Sequence, residues 1–445
     1  MISLFEYMDE KTADLVWSLR HSEIKSQLVV IHDNGWLNDD VISPFSFYTK
    51  SYENTDGHPL FFDEVPVNSF WGIRGNDQLA EVFDEDAIRA NIFYHGYREV
   101  EHVEWRDRDG KIQFIDYYNR YGSLYARTYY HRDKPAQKSY FSTDKREIIN
   151  HNLITDHIML SWKNKNYFFT SLTKFVLFFI KENFDASVFS RMIYNSLSTP
   201  LFVVNGLEDK TQAVLIWDEP LQEDVPGNMV EILNNHNSNT KHVFFQRRFD
   251  MRKVYKDYHF ERRNVISYLG RLYNFQTKVN QTIPKKTALI VTSSDSIWSL
   301  TSLIESLPQL NFKIMALTEM SSKLMSIGKY NNVELFPAAT PQSVLEEIKH
   351  ADYLLDINDG AEVLGAVKAA FLSHTLILSV SQFIHNTNYI APENIFANDQ
   401  QNMMISKIKL TYNNKFKFSE SLSNQESIFG PIGDKNYYVK ALNDF

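Results

Sequence analysis

Polar residues gather just beyond two apolar runs in the C-terminal half of the chain. Thr292 closes "TALIVT" and Ser293, Ser294 and Asp295 follow it, while Asn358, Asp359, Gly360 and Glu362 follow "DYLLDI". Hydroxyls, amides and carboxylates of this kind suit hydrogen bonding to a neutral sugar. The same loops lack what a nucleotide diphosphate needs, because charge-assisted contacts normally neutralise a phosphate leaving group. No Lys or Arg falls between Lys286 and Lys313, and Asp295 would repel a phosphate. Elsewhere, Asp218 and Glu219 in "AVLIWDEP" follow a strand-like run, where they read as an acceptor-side base or as a helix-capping loop. Asp107 and Asp109 in "RDRDG" have the spacing of a metal motif but sit at a hairpin tip, where Asp is common for turn geometry. His236 and His242 have no metal-ligand spacing and the chain has no Cys, so neither a metal nor a cofactor is expected. No Gly-x-Ser-x-Gly elbow, Walker loop or Gly-x-Gly-x-x-Gly fingerprint occurs, which leaves dehydrogenase, hydrolase and NTPase chemistry without support.

Those loops must be held by a sheet, and the sequence supplies one. Over 285–396, short apolar runs ("TALIVT", "FKIMALT", "VELFP", "DYLLDI", "TLILSV") alternate with helical patterns such as "TPQSVLEEIKHA", with Thr340 as N-cap and Pro341 as first helical residue. Continuous apolar strands with helices between them predict a parallel, doubly wound sheet. A second such layer precedes it, with "SQLVVIHD", "PLFVVNG", "AVLIWDEP" and "KHVFFQRR" as strands and "PGNMVEILNNHN" as a helix. Between its parts, "EVEHVEWRDRDGKIQFIDYYNRYGSLYARTYYHRDKPAQKSYFST" alternates with period two. Asp109-Gly110 and "NRYGS" provide turns, as in an antiparallel meander.

The expected plan is α/β. Residues 1–45 and 166–280 form a split Rossmann-like domain, 46–165 an inserted β-meander, and 281–425 a second Rossmann-like domain after the linker 274–286. Residues 426–445 are a C-terminal segment packing back on the first domain. Two such domains bind ligands at the carboxyl ends of their strands.

Composition narrows the partners. The chain has 445 residues and a formal net charge of −9, which argues against nucleic acid as the main partner. With no cysteine and no basic n-region in "MISLFEYMDEKTADL", an intracellular protein is expected. "SLTKFVLFFIKENF" is too short to span a bilayer; it reads as a buried core helix or as a segment lying on a membrane surface.

The two Rossmann-like halves, the Tyr-rich meander and the segment "DGAEVLGAVKAAF…LIL" together resemble, over essentially the whole chain, a family of bacterial GT-B proteins. Members work in pairs to place N-acetylglucosamine (GlcNAc) on serine-rich repeat adhesins exported by the accessory Sec route. The resemblance is to the non-catalytic, stabilising subunit. An active retaining GT-B enzyme commonly has an acid, seven other residues and a second acid opening "E-A-x-x-x-G-x-P". Here Gly360 stands in the first place and Lys368 in the second, and the run to Thr375 has neither the glycine nor the proline.

The resemblance implies a catalytic partner that binds UDP-GlcNAc, in a hetero-oligomer for which a heterotetramer is one form. It also implies a serine-rich adhesin acceptor, and a cytoplasmic location with the cytoplasmic face of the membrane as one site. The vestigial donor pocket (Thr292 to Asp295, Asn358 to Gly360 and Glu362) would then hold the sugar of a modified acceptor. Tyr117, Tyr118, Tyr121, Tyr125 and Tyr129 occur on successive as well as alternate positions, which reads equally as a wet amphipathic face or as a partner surface. The resemblance favours the partner. The alternatives are a retaining glycosyltransferase with a diverged donor site, and an adhesin chaperone without sugar recognition.

Overall fold

The computed structural model describes residues 1–53, 56–76, 79–96, 98–207, 211–222, 224–257, 259–275, 286–428 and 432–443. Most of the linker 274–286 lies outside them. The chain divides into two compact units, Met1–Leu272 with Gly433–Phe445, and Tyr273–Ile432.

The first unit is built on seven parallel strands. Their order is Ile266–Tyr268, Thr240–Phe245, Gln212–Trp217, Arg191–Tyr194, Ile2–Phe5, Gln27–Val30 and Val41–Ile42. Ile2, Leu4, Phe5, Val29 and Val30 are wholly buried, as a sheet covered on both faces requires. The helix Glu10–His21 follows the strand Ile2–Phe5, and its N-cap Asp9 accepts from the Thr12 amide at 2.8 Å.

Two expectations for this sheet are corrected. "PLFVVNG" is the helix Thr199–Asn205, and the strand in that region is the preceding Arg191–Tyr194. A continuous apolar run does not distinguish strand from buried helix. Here Pro200 falls in the first helical turn, where its missing N–H costs nothing, and Leu201, Val203 and Val204 are buried from the helix. The sequence reading also passed over "ISLF", the strand Ile2–Phe5, which is central in the sheet.

The meander has ten strands from Gly72–Gly75 to Lys165–Phe169, hydrogen-bonded in strict chain order. Gly110 (φ +79°) and Gly122 (φ +75°) occupy turn positions that L side chains resist. The meander shares a core with the parallel sheet: Tyr125, Ala126, Tyr140, Ile149, Ile158 and Leu160 lie in one buried cluster with Ile2, Phe45, Phe175 and Met192. Tyr140 stacks on Phe45 at 4.2 Å between centroids. The helix Leu172–Asn183 buries Phe175, Val176, Phe179 and Ile180, which makes "SLTKFVLFFIKENF" a core helix.

This packing decides the tyrosine surface. Tyr125 is 3% exposed and fills the space beside Gly35 (φ +81°), where a Cβ would come within 2.7 Å of its ring. Tyr118 is 7% exposed within the meander's other cluster, with Val82, Ile92 and Val103. Both rings are thus packed in the fold, although Tyr118 also lines a cavity beside Trp71 and Trp105. Tyr117 and Tyr121 are half-buried, and only Tyr129 of the five is well exposed, at 38%.

The second unit has six parallel strands, in the order Val333–Phe336, Asn311–Met315, Thr287–Val291, Tyr353–Asp356, Leu376–Val380 and Ile395–Phe396. Strand order reverses between Thr287–Val291 and Tyr353–Asp356, which is where open parallel sheets bind ligands. Thr340 caps the helix Pro341–His350 by accepting from the Ser343 amide at 3.1 Å. The C-terminal helix Lys435–Asn443 belongs to the first unit. Its Tyr438 and Leu442 are wholly buried there, and Tyr438 Oη donates to the Gly270 carbonyl at 2.6 Å. Among the described residues no helix is long and apolar enough to cross a membrane.

Candidate functional site

The two polar loops of the second unit leave the strands on either side of its order reversal, and backbone pairing ties them together. Ile297 and Asn358 form an antiparallel bridge, and the Trp298 amide donates to the Ile357 carbonyl at 2.9 Å. All the residues named from the sequence are therefore neighbours, but they do not act alike. Thr292 is 1% exposed; its hydroxyl donates to the Ser294 carbonyl at 2.6 Å and accepts from the Ser294 amide at 3.0 Å. Ser293 Oγ donates to the Ala361 carbonyl at 3.0 Å, and Ser294 Oγ to Asp359 Oδ1 at 2.6 Å. Hydrogen bonds from the Ser294 and Ser296 hydroxyls, and then the charge of Lys323, hold the Asp359 carboxyl below its ordinary range.

Asp295 turns away from this set, accepting from Ser321 Oγ at 3.0 Å and lying 3.6 Å from Lys323 Nζ. Glu362 Oε1 accepts from the Val367 amide at 3.1 Å, so this carboxylate caps the helix Ala366–Leu372. Asn358 is 2% exposed, and its side-chain Nδ2 donor has no acceptor among the described residues. A Cβ at Gly360 would lie 2.2 Å from Ser293 Oγ, a hydroxyl that can rotate, and 3.1 Å from Ser294 Cβ, so a side chain there needs Ser293 to turn. Lys368 is half-buried with its ammonium 5.6 Å from the Tyr389 ring centroid.

One residue was missed in the sequence. His385 follows the strand Leu376–Val380, and its Nδ1 meets the buried Asp356 carboxylate while Nε2 lies 2.8 Å from the Gly360 carbonyl. The hydrogen bond to Asp356 outweighs burial and pushes the imidazole pKa up to about 9, so both ring nitrogens donate at neutral pH. No local motif signals this pair, because Asp356 and His385 are 29 residues apart. The loops thus have cations that counting Lys and Arg along the first loop did not reveal. Each is matched by an acid, Lys323 by Asp295 and His385 by Asp356.

The His385 pKa gives a stability prediction. A group raised from 6.5 to about 9 contributes in full below pH 6.5 and is lost as pH rises through 9. Between those limits the second unit is expected to lose up to about 3.4 kcal/mol of unfolding free energy, and less where solvent screens the pair. His385→Gln should remove that slope in denaturant titrations across this range. A flat profile for the unaltered chain would contradict the ion pair.

Exposed apolar side chains occur at both edges of the meander: Phe70, just before its first strand, is 95% exposed and Ile88 40%, and a second group lies at the opposite edge. Met159 and Phe168 are direct cross-strand partners, 49% and 63% exposed, with Ile154 nearby in sequence at 74%. The strand Lys165–Phe169 is the edge of its sheet. On another part of the meander, a cavity of about 790 Å3 is lined by Trp71, Trp105, Phe114 and Arg127. Asp116 there holds Arg127 through both carboxylate oxygens and accepts from Trp105 Nε1 at 3.0 Å.

The fold is one shared with glycosyltransferase subunits. The pneumococcal O-GlcNAc transferase GtfA superposes with a TM-score of 0.51 over 100% of this chain and 98% of its own, at 14% identity, a likeness of fold alone. A chain in the crystal structure of the GtfA/B complex bound to UDP and GlcNAc is far nearer, with a TM-score of 0.87 at 34% identity and 100% of each chain covered. Residues 2–48, 71–170 and 172–256 match the GtfB N-terminal, middle and third domains, and 288–425 match the GftB/GlyA-F C-terminal domain. The stabilizing protein GtfB of Streptococcus gordonii is 37% identical over 91% of this chain and 90% of its own length. That of Streptococcus agalactiae is 35% identical over 92% of each, and that of Limosilactobacillus reuteri subsp. suis 32% over 98% of each. The chain belongs to the family of UDP-N-acetylglucosamine–peptide N-acetylglucosaminyltransferase stabilizing proteins.

Proposed function

We propose that this chain is the non-catalytic subunit of a protein O-GlcNAc transferase. It stabilises a catalytic glycosyltransferase subunit in a hetero-oligomer and helps hold a serine-rich adhesin acceptor, while UDP-GlcNAc chemistry belongs to the partner. The observation that carries the reading is the 34% identity and 0.87 TM-score, over the whole chain, to a subunit of the GtfA/B complex. The site supports it: the Thr292, Ser293 and Ser294 hydroxyls are bonded within the loop pair, and Lys323 and His385 are each matched by an acid. In this reading the two parallel sheets are the Rossmann-like halves of a GT-B fold, with boundaries near 46, 165 and 281. The protein acts in the cytoplasm, before export of the acceptor. Its partner meets the edge of the meander around Met159 and Phe168.

The loop pair keeps one feature suited to a sugar, the buried Asn358 donor without a protein acceptor, which fits an N-acetyl carbonyl. A GlcNAc-bearing serine-rich peptide is therefore expected to bind about ten- to a hundredfold more tightly than the bare peptide, from a few hydrogen bonds of about 0.5–1.5 kcal/mol each. Asn358→Ala should remove most of that preference in calorimetric titrations. Equal affinities for the two peptides in the unaltered chain would leave only the stabilising role.

A further inference from the structure

The chain has no cysteine, so methionine is the only side chain through which it can take part in sulfur redox chemistry. Of its eleven methionines, Met192, Met229, Met315 and Met404 are buried, and Met1, Met8, Met251 and Met320 are half-buried. Three are exposed: Met159 at 49%, Met325 at 47% and Met403 at 57%. Attack by a peroxide follows exposure, which leaves these three open to it.

Their surroundings differ. Met325 ends the short helix Ser322–Met325 and Met403 lies on the helix Gln401–Asn413, both in the second unit. Met159 is on a strand of the meander. Its neighbours Ile158 and Leu160 are wholly buried, so strand alternation aims Met159 at the opposite, open face. There it pairs across strands with Phe168 on one side and Asn150 on the other. The next pair along the two strands is Ser161 and Asn166, whose side chains are hydrogen-bonded at 2.9 Å. None of these cross-strand positions carries a charge. The thioether and the Phe168 ring therefore form a small apolar surface framed by neutral polar groups.

Oxidation would change the character of that surface without touching the fold beneath it. A hydroperoxide transfers one oxygen to Sδ: the O–O bond breaks, the S=O bond of the sulfoxide forms, and the peroxide leaves as water or an alcohol. Sulfur is oxidised by two electrons and the peroxide is reduced by two. The product is a polar acceptor where an apolar group stood. Covered by a partner that brings no donor, such an acceptor keeps its full desolvation cost.

We propose that Met159 is an oxidation site whose sulfoxide opposes docking of the catalytic subunit, so that assembly is sensitive to peroxide. The inference rests on the interface proposed above and adds a regulation to it. An assembled complex covers Met159, so only the unassembled chain is open to the modification.

The test treats the full chain with hydrogen peroxide, alone and in complex, and reads oxidation at Met159, Met325 and Met403 by peptide mass spectrometry. Met159 is expected to be oxidised in the free chain and at least tenfold more slowly in the complex. After removal of peroxide, the oxidised chain should bind untreated catalytic subunit about five- to thirtyfold more weakly, the loss of one central interface contact. Methionine sulfoxide reductase should restore the affinity. Met159→Leu keeps an apolar side chain of similar size, so it should bind like the unaltered chain and keep that affinity after peroxide, although Met325 and Met403 are still oxidised. Thermal unfolding of the oxidised chain should be unchanged. Full affinity in the oxidised chain, equal loss in peroxide-treated Met159→Leu, or equal oxidation of Met159 in the free chain and the complex overturns the proposal. The interface itself is tested separately by Met159→Glu with Phe168→Glu. If that form is weakened while the oxidised chain is not, the regulation fails and the interface stands; if it binds undiminished, the interface fails.

Discussion

Purified without a partner, the chain is expected to release no UDP from UDP-GlcNAc above the buffer rate, at least ~10^4-fold below a competent transferase. Preorganised charge around a leaving group is commonly the largest catalytic factor, and losing a single donor costs about 10²–10³. Here the deficit is compound. The first acid position is Gly360, the second is Lys368, and Lys323 and His385 are engaged with Asp295 and Asp356. Restoring the acid by Gly360→Glu alone should not rescue turnover, because Lys368 still stands in the second acid position and Lys323 and His385 stay engaged with Asp295 and Asp356. A coupled UDP-release assay with serine-rich peptide decides it. Turnover at enzyme-like rates by the isolated chain would make this an active glycosyltransferase.

The second large effect is expected at the meander. Deleting the meander is a poor probe, since Tyr125, Tyr140, Ile149 and Leu160 share a core with the parallel sheet and the first unit would not survive their loss. Charges on its surface avoid that problem. Met159 and Phe168 are exposed and adjacent on one face at a sheet edge, a surface that soluble chains normally cover or charge. Met159→Glu with Phe168→Glu should weaken association with the catalytic subunit about a hundred- to thousandfold, from two central contacts of about 2 kcal/mol each. Stability of the chain itself should change by no more than about 0.5 kcal/mol per exposed site. Undiminished one-to-one co-purification would place the interface elsewhere, with the Trp71 and Trp105 cavity the next surface to alter.

How far the sequence could be read depended on how local each signal was. The strands of the second unit other than the short edge strand Ile395–Phe396, the Thr340 cap and the Asp109-Gly110 hairpin were legible because periodicity, capping and turn chemistry act over a few residues. "PLFVVNG" was misread because an apolar run fits a strand and a buried helix equally, and the Pro200 signal was passed over. The loop residues were located but not their roles. That Glu362 caps a helix and Asp295 faces Lys323 depends on backbone geometry that spacing does not carry. Tyr118 and Tyr125 were read as surface because alternation gives two faces without saying which neighbour covers each. His385 needed two strand ends brought together, a relation visible only in the folded sheet.

The most direct measurement is the transferase activity retained by the catalytic subunit after incubation at growth temperature. It should be compared alone, with this chain, and with the Met159→Glu, Phe168→Glu form. The account predicts rapid loss alone, prolonged activity with the chain, and loss again with the altered form, by linkage of association to folding. Equal activity decay in all three preparations would contradict it.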